Sequence, residues 1–225
     1  MSGRLVIPDR AEVERELSVA HPWWRFSVRF NVAVSQSIPV ARMHERESEG
    51  VMMRWGFVPE SAKGDVTPAG RTHVRVDALM SSEDFRSAWI HGQRGIVPLA
   101  GFYVWQRTQA GHRQPYYVRL VNRHVFGVAA IWERSVTDDD VVVDSCALLT
   151  VPANPLLAEI DNAASHMPAI LHREGYDAWL RSSVTEASEF LETYPETRMV
   201  SHPVAPHVND LAFDEPGLIQ PVLQD

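Results

Sequence analysis

Apolar residues recur along the chain with two different periods. Over residues 9–20 the spacing of Val13 and Leu17 puts them on one helical face. Asp9 stands as N-cap with Glu12 three residues on, the spacing of a capping box, so a helix is predicted there. Residues 28–42 alternate weakly and read as strand and loop. Val51-Met-Met-Arg-Trp-Gly-Phe-Val58 reads as a strand stopped by Pro59, and 60–72 as a loop. Ser82 is placed to cap a short helix carrying Phe85, Ala88 and Trp89, which stops at Gly92. Four β-type runs follow, at 96–107, 114–121, 125–134 and 141–151. Their separators are short and hold Gly111, Asn122 and Asp138–Asp140. Such separators predict an antiparallel meander rather than crossover helices. The stretch 169–181 begins extended and turns helical through Tyr176, Trp179 and Leu180. Ser183 with Glu186 repeats the capping-box spacing before Ala187, Phe190 and Leu191, and Pro195 ends that helix. Gly217–Val222 reads as a last strand. With no linker visible, the expectation is one α+β domain spanning 1–225, with a mostly antiparallel β core and peripheral helices.

Composition narrows the function classes. The 225 residues are 45% hydrophobic and 22% charged, which excludes a disordered chain and a disulfide scaffold. The net charge of −8 argues against indiscriminate coating of duplex DNA, which needs a broadly basic face. A narrow basic groove on an acidic body stays open. Cys146 is the one cysteine, so a reduced, cytoplasmic setting is expected. No signal-peptide run and no stretch of membrane-spanning length is present, and no membrane partner is expected. The ten histidines form no metal signature: His202 and His207 are separated by Pro203 and Pro206. There is no phosphate loop and no Gly-x-Ser-x-Gly elbow. No metal and no cofactor is expected. Ser2 is small, so removal of Met1 is expected to expose its α-amine.

Arg54-Trp55-Gly56 has two readings. The Trp can stack a base beside an Arg that pairs a phosphate, or it can pack in the core at a strand end; spacing alone favours the core. Arg4, Arg25, Arg29, Arg54, Arg71 and Arg75 gather in the first third, and Lys63 is the only lysine. Arginine forks suit phosphate. These features alone define no more than an α+β domain.

The order of short segments adds more. Met1-Ser-Gly-Arg4, Arg29-Phe-Asn-Val-Ala-Val34, Trp55-Gly-Phe-Val-Pro59, His73-Val-Arg-Val-Asp77 and Arg94-Gly-Ile-Val-Pro-Leu-Ala-Gly-Phe-Tyr-Val-Trp105 follow one another. Ala129-Ala-Ile-Trp-Glu133, Leu148-Leu-Thr150, Ala153-Asn-Pro155, Met167-Pro-Ala-Ile-Leu171 and Val200-Ser-His-Pro-Val204 continue the series. Over essentially its whole length the chain resembles the SRAP family, the SOS-response-associated peptidases. The resemblance implies a barrel-like β core with a positively charged groove for single-stranded DNA. It also implies an N-terminal cysteine, freed by self-removal of Met1, whose amine and thiol both add to the aldehyde carbon of an abasic site. The product is a thiazolidine DNA–protein crosslink, assisted by Asn, Glu and His. Arg4, Asn31, Trp55, Arg75 and Thr150 fall on positions like those that grip the DNA.

The chain departs from that pattern at each reacting position. Cysteine becomes Ser2, asparagine His73 and glutamate Val104. The family histidine falls on Ala164 counting back from Pro168, or on Asp161 counting forward from Ile160, and His166 falls on a family arginine. A serine hydroxyl is a far weaker nucleophile than a thiolate, and Val104 carries no proton. An α-amine of pKa about 7.7–8.0 still forms a Schiff base with an aldehyde, and the hydroxyl can close an oxazolidine. The leading expectation is a protein that binds single-stranded or abasic-site DNA with weakened or lost covalent chemistry. Two alternatives stand beside it: an enzyme with a rebuilt site of Ser2, His73 and His166, and a non-catalytic interaction module of phage or mobile-element origin. Oligomeric state is not legible.

Overall fold

The computed structural model describes residues 3–60, 71–108, 111–136, 140–161 and 165–222. In chain order the first strands are β1 (Arg4–Ile7), β2 (His21–Pro22), β3 (Arg29–Ala33), β4 (Ser37–His44), β5 (Glu47–Trp55) and β6 (His73–Arg75). Then come β7 (Arg94–Leu99), β8 (Gly101–Arg107), β9 (Arg113–Leu120), β10 (Phe126–Val136) and β11 (Val142–Pro152). The last are β12 (His166–Pro168) and β13 (Met199–Pro203). The helices are α1 (Arg10–Leu17), α2 (Arg86–Ile90), α3 (Pro155–Ile160), α4 (Tyr176–Arg181) and α5 (Val184–Ala187).

One sheet runs β13-β9-β8-β1-β3. In the other, β5-β4-β7-β10-β11 close into a five-stranded barrel through a parallel pairing of β11 with β5, at Ser145↔Arg54 and Cys146↔Trp55. The fold class is therefore α+β with a mostly antiparallel core, as the patterning implies, closed into the barrel that the resemblance implies. Closure removes the free edge that an open sheet would expose. Ile38, Val40, Met53, Trp55, Phe126 and Leu148 are all within 1% of complete burial in the main core cluster.

Several expectations change in detail. The predicted meander is two hairpins in different sheets: β8–β9 in one, β10–β11 in the other, with β10 pairing β7. The run 96–107 is two strands, parted at Ala100, whose N–H bonds Val6 O as the chain crosses between sheets. Residue counts between strands cannot distinguish a hairpin from such a crossing. Helix α1 stops at Leu17, where Ser18 turns left-handed at φ 49°. Asp9 caps it through Ala11 N–H, without a returning bond from Glu12. Ser82 does not cap α2, whose N-cap Phe85 has no side-chain bond; Gly92, at φ +70°, does end it. The Ser183–Glu186 capping box is present. Gly217–Val222 is a 3-10 turn at Pro216–Ile219 with one bridge, Val204↔Pro221, rather than a strand. Among the described residues, no helix is long and apolar enough to cross a membrane.

Candidate functional site

The seam that closes the barrel also assembles the candidate site. β6 runs parallel to β11, pairing His73↔Leu148, Val74↔Leu149 and Arg75↔Thr150. β12 lies antiparallel on the same strand, pairing Thr150↔Pro168 and Pro152↔His166. Paired residues share a sheet face and alternate residues along a strand return to it. Trp55, His73, Arg75, Thr150 and His166 therefore stand on one face. Gly56 makes this possible at its start: with φ 138° it turns the chain out of β5, and its N–H bonds Cys146 O. A residue with a Cβ is strained there.

Trp55 is the floor. It is fully buried, and its Nε1 donates to Thr72 O at 3.1 Å. This corrects the stacking reading, because no ring surface is left for a base. His73 meets Trp55 edge-on, at 5.5 Å between centroids and 89° between planes. Its Nδ1 lies 2.9 Å from Thr72 Oγ1, while its buried Nε2 has no partner. Burial lowers the His73 pKa to about 3. The ring is thus neutral near pH 7, with one protonated nitrogen and one lone pair. Orphaned buried nitrogens are rare and costly.

Arg75 and Thr150 form the next row. Arg75 holds Asp77 in a bidentate pair, Nε–Oδ1 at 2.9 Å and Nη2–Oδ2 at 2.6 Å, and the hydrogen bond from Arg75 keeps the Asp77 pKa below the ordinary aspartate value. Both partners face solvent, with side chains 56% and 62% exposed, so the pair is readily exchanged for a stronger anion. Thr150 is buried and donates to Val74 O at 3.3 Å. His166 has Ser165 Oγ at 2.7 Å from Nδ1, and its field reaches Asp77.

The N-terminal stretch lies on the other sheet, and the β3–β4 turn joins that sheet to Trp55. Arg4 pairs with Ala33 across β1 and β3. A side chain at Gly3 would meet Val34 at 3.3 Å, and the next residue, Ser35, donates its N–H to Trp55 O at 2.7 Å. Arg4 is half-buried. Its Nη1 donates to Gly3 O, its Nε is buried without a partner, and no carboxylate pairs with it among the described residues. Burial lowers its pKa. Arg54 likewise has a buried, unpartnered Nε, on the opposite sheet face from Trp55. Other arginines of the first third are neutralised: Arg29 by Asp214, Arg71 by Asp84.

The remaining candidates lie elsewhere. Asn31 is buried, and its Nδ2 donates to Asp210 O and Phe213 O; it ties β3 to the C-terminal segment rather than facing a ligand. Val104 is a core residue opposite Tyr116. Burial pushes the Cys146 thiol far up, so the one cysteine does not stand in for the missing nucleophile. Ser2 and Ala164 lie outside the described residues. Among the described residues, no group of His, Cys, Asp or Glu could hold a metal. Sequence reasoning missed Thr72, which fixes both Trp55 and His73, and the part played by Asp77. The Arg75-x-Asp77 spacing, which falls where β6 gives way to a 3-10 turn at Val76–Ala78, was the available signal for the second; nothing in the sequence marks Thr72.

The profile of the family described as SOS response associated peptidase (SRAP) matches residues 1–211. Abasic site processing protein YoqW of Bacillus subtilis is 26% identical over 202 residues, covering 88% of each chain. Abasic site processing protein HMCES of Mus musculus is 27% identical over 243 residues, covering 89% of this chain and 68% of the mouse protein. A crystal structure of a protein from Bordetella bronchiseptica has a TM-score of 0.79 at 23% identity, covering 91% of this chain and all of that one.

Proposed function

Starting from a chain that belongs to the SOS response associated peptidase family, we propose that it binds single-stranded abasic-site DNA with covalent chemistry weaker than a thiol supports. The observation that carries this reading is the shared face of His73, Arg75 and Thr150, with an exposed arginine and an orphaned buried nitrogen on it. The solvent-exposed Arg75–Asp77 pair is readily exchanged, Arg4 has no carboxylate partner among the described residues, and phosphate is the anion an arginine fork fits best. Arg4 and Arg75 contact the backbone. Thr150 supports Val74 and sets the height of β6 against β11.

The reaction open to this chain runs through an amine rather than a thiol. The Ser2 nitrogen attacks the aldehyde carbon of the opened abasic sugar, giving a carbinolamine. Loss of water gives an imine, and addition of the Ser2 hydroxyl to that carbon closes an oxazolidine while its proton passes to nitrogen. The neutral His73 ring supplies a lone pair and a proton donor for those transfers. Val104 supplies neither. An oxygen ring reopens more readily than a sulfur ring, so the adduct is reversible.

The test incubates the protein and a Ser2→Cys variant with abasic-site single-stranded DNA, with and without borohydride. A band from the wild type only with borohydride, and from Ser2→Cys without it, is the expected result. A Ser2→Cys crosslink with no wild-type band in either condition leaves binding and removes the amine chemistry. No band from either chain contradicts the proposal and favours the non-catalytic interaction module, for which the burial of Val104 in place of an acid already speaks.

A further inference from the structure

At the far end of β5 the chain displays a second chemistry. Trp23 is 64% exposed, whereas its neighbour Trp24 is fully buried. The contrast is built in. Trp24 donates its backbone N–H to Gly50 O at 2.8 Å, and its ring lies so close that a Cβ on Gly50 would come within 2.5 Å of it. With Trp24 anchored, Trp23 is fixed pointing outward. His21 stacks on it, at 5.7 Å between centroids and 11° between planes, and is itself held by Glu47 through a 2.7 Å Nε2–Oε2 contact. The stacked rings border a cleft of about 520 Å³ shared with His44, Glu45, Arg46, Glu47 and Glu49.

The charge of this cleft names its ligand. Glu49 is taken by Arg42 at 2.7 Å. Glu45 has no ion pair among the described residues, and Glu47 has only His21. Glu45 is also held at φ +54° in the hairpin turn, an uncommon conformation for a non-glycine residue. With Glu49 answered by Arg42, the rim sets two carboxylates, Glu45 and Glu47, against one arginine, Arg46, and this net acidic balance disfavours phosphate. Eight residues separate Glu47 from Trp55 along β5, roughly 25 Å at strand rise. A planar guanidinium fits all three features: it stacks on indole, pairs with carboxylates and tolerates partial hydration.

We propose that the Trp23 cleft docks an arginine-bearing segment of a partner protein, the guanidinium lying on Trp23 between Glu45 and Glu47. This surface is independent of the DNA reading, since it shares no residue with that face.

The probe is a capped peptide of alternating glycine and arginine, titrated into the full chain at low salt and followed by calorimetry and tryptophan fluorescence. The same peptide with citrulline in place of arginine keeps the shape without the charge. Saturable binding of the arginine peptide alone is expected, weakened about tenfold by Trp23→Ala and severalfold by Glu45→Gln with Glu47→Gln. Trp23 is exposed, so Trp23→Ala should melt with the wild type; a less drastic Trp23→Leu variant should show the same loss. Equal binding of the citrulline peptide, unchanged affinity in the variants, or a dissociation constant weaker than about 10 mM overturns the proposal. So does sedimentation showing a dimer that Trp23→Ala dissociates, which assigns the face to a second copy. Displacement of the peptide by single-stranded DNA would also contradict it.

Discussion

Two clusters of buried charge, both on the barrel, behave in opposite ways. On one side Arg42 reaches Glu49 at 2.7 Å, lies 3.8 Å from Asp144 and stacks over Trp132 at 4.3 Å. Asp144 in turn takes a bidentate pair from Arg134, at 2.7 and 2.8 Å. Each charge there has an opposite charge within the protein. The Nε2 of His73 at the β6–β11 seam and the Nε of Arg4 on β1 are buried with no partner, and among the described residues no carboxylate pairs with Arg4. The first cluster answers its buried arginine with carboxylates, although Arg42 Nη1 itself makes no hydrogen bond. The seam differs in having no carboxylate beside its orphaned His73 nitrogen, and the proposed reading puts a ligand there.

That contrast can be broken experimentally, and the largest effect belongs to the paired cluster. Glu49→Ala strands the buried Arg42 guanidinium and should cost about 3–5 kcal/mol by urea denaturation, with DNA affinity unchanged once folded. At the seam the pattern should invert. Arg75→Ala should leave the urea midpoint in place and lower affinity for single-stranded DNA about tenfold at low salt. His73→Leu removes an unpartnered nitrogen, so its stability near pH 7 should stay within about 1 kcal/mol of wild type.

His73 also makes a pH prediction. The unfolded chain takes up a proton on this residue near 6.5, whereas the folded ring does so only near 3. Between those values the unfolded state binds more protons, so stability rises with pH across the window and falls on acidification. His73→Leu should flatten that part of the stability–pH curve, as thermal melts from pH 3.5 to 7 would reveal. The smallest effect is at Asp77. Asp77→Asn frees Arg75 from its competing carboxylate and should raise DNA affinity by about twofold. A fall in affinity would mean that Asp77 orients Arg75 instead.

The strands were legible in the sequence because they announce themselves by local composition, whereas the barrel was implied only by the family resemblance. The runs around 114–121, 125–134 and 141–151 became β9, β10 and β11 within a residue or two. Which sheet each joined was not legible, because β11 meets β5 and β6 through contacts far apart in sequence. The same distinction governs the site. Arg4, His73, Arg75 and Thr150 stand out because their neighbours in the chain match family segments, and the fold gathers the last three at one seam. Trp55 and Asn31 match equally well, yet burial gives them structural work. Exposure is a property of packing that motif position does not carry. Thr72 was invisible for the complementary reason: its backbone oxygen and hydroxyl do the work, and neither depends on a recognisable motif.

The most direct test of the account measures anisotropy of labelled single-stranded DNA between about 50 and 200 mM salt. It compares the wild type, an Arg4→Ala/Arg75→Ala double variant and Arg134→Ala. The account predicts that the double variant loses about 1.4 from the slope of log affinity against log salt, one phosphate for each arginine, while Arg134→Ala follows the wild type. Equal slopes for all three chains, or no wild-type binding at the lowest salt, would contradict the claim that the unpaired seam is the DNA face.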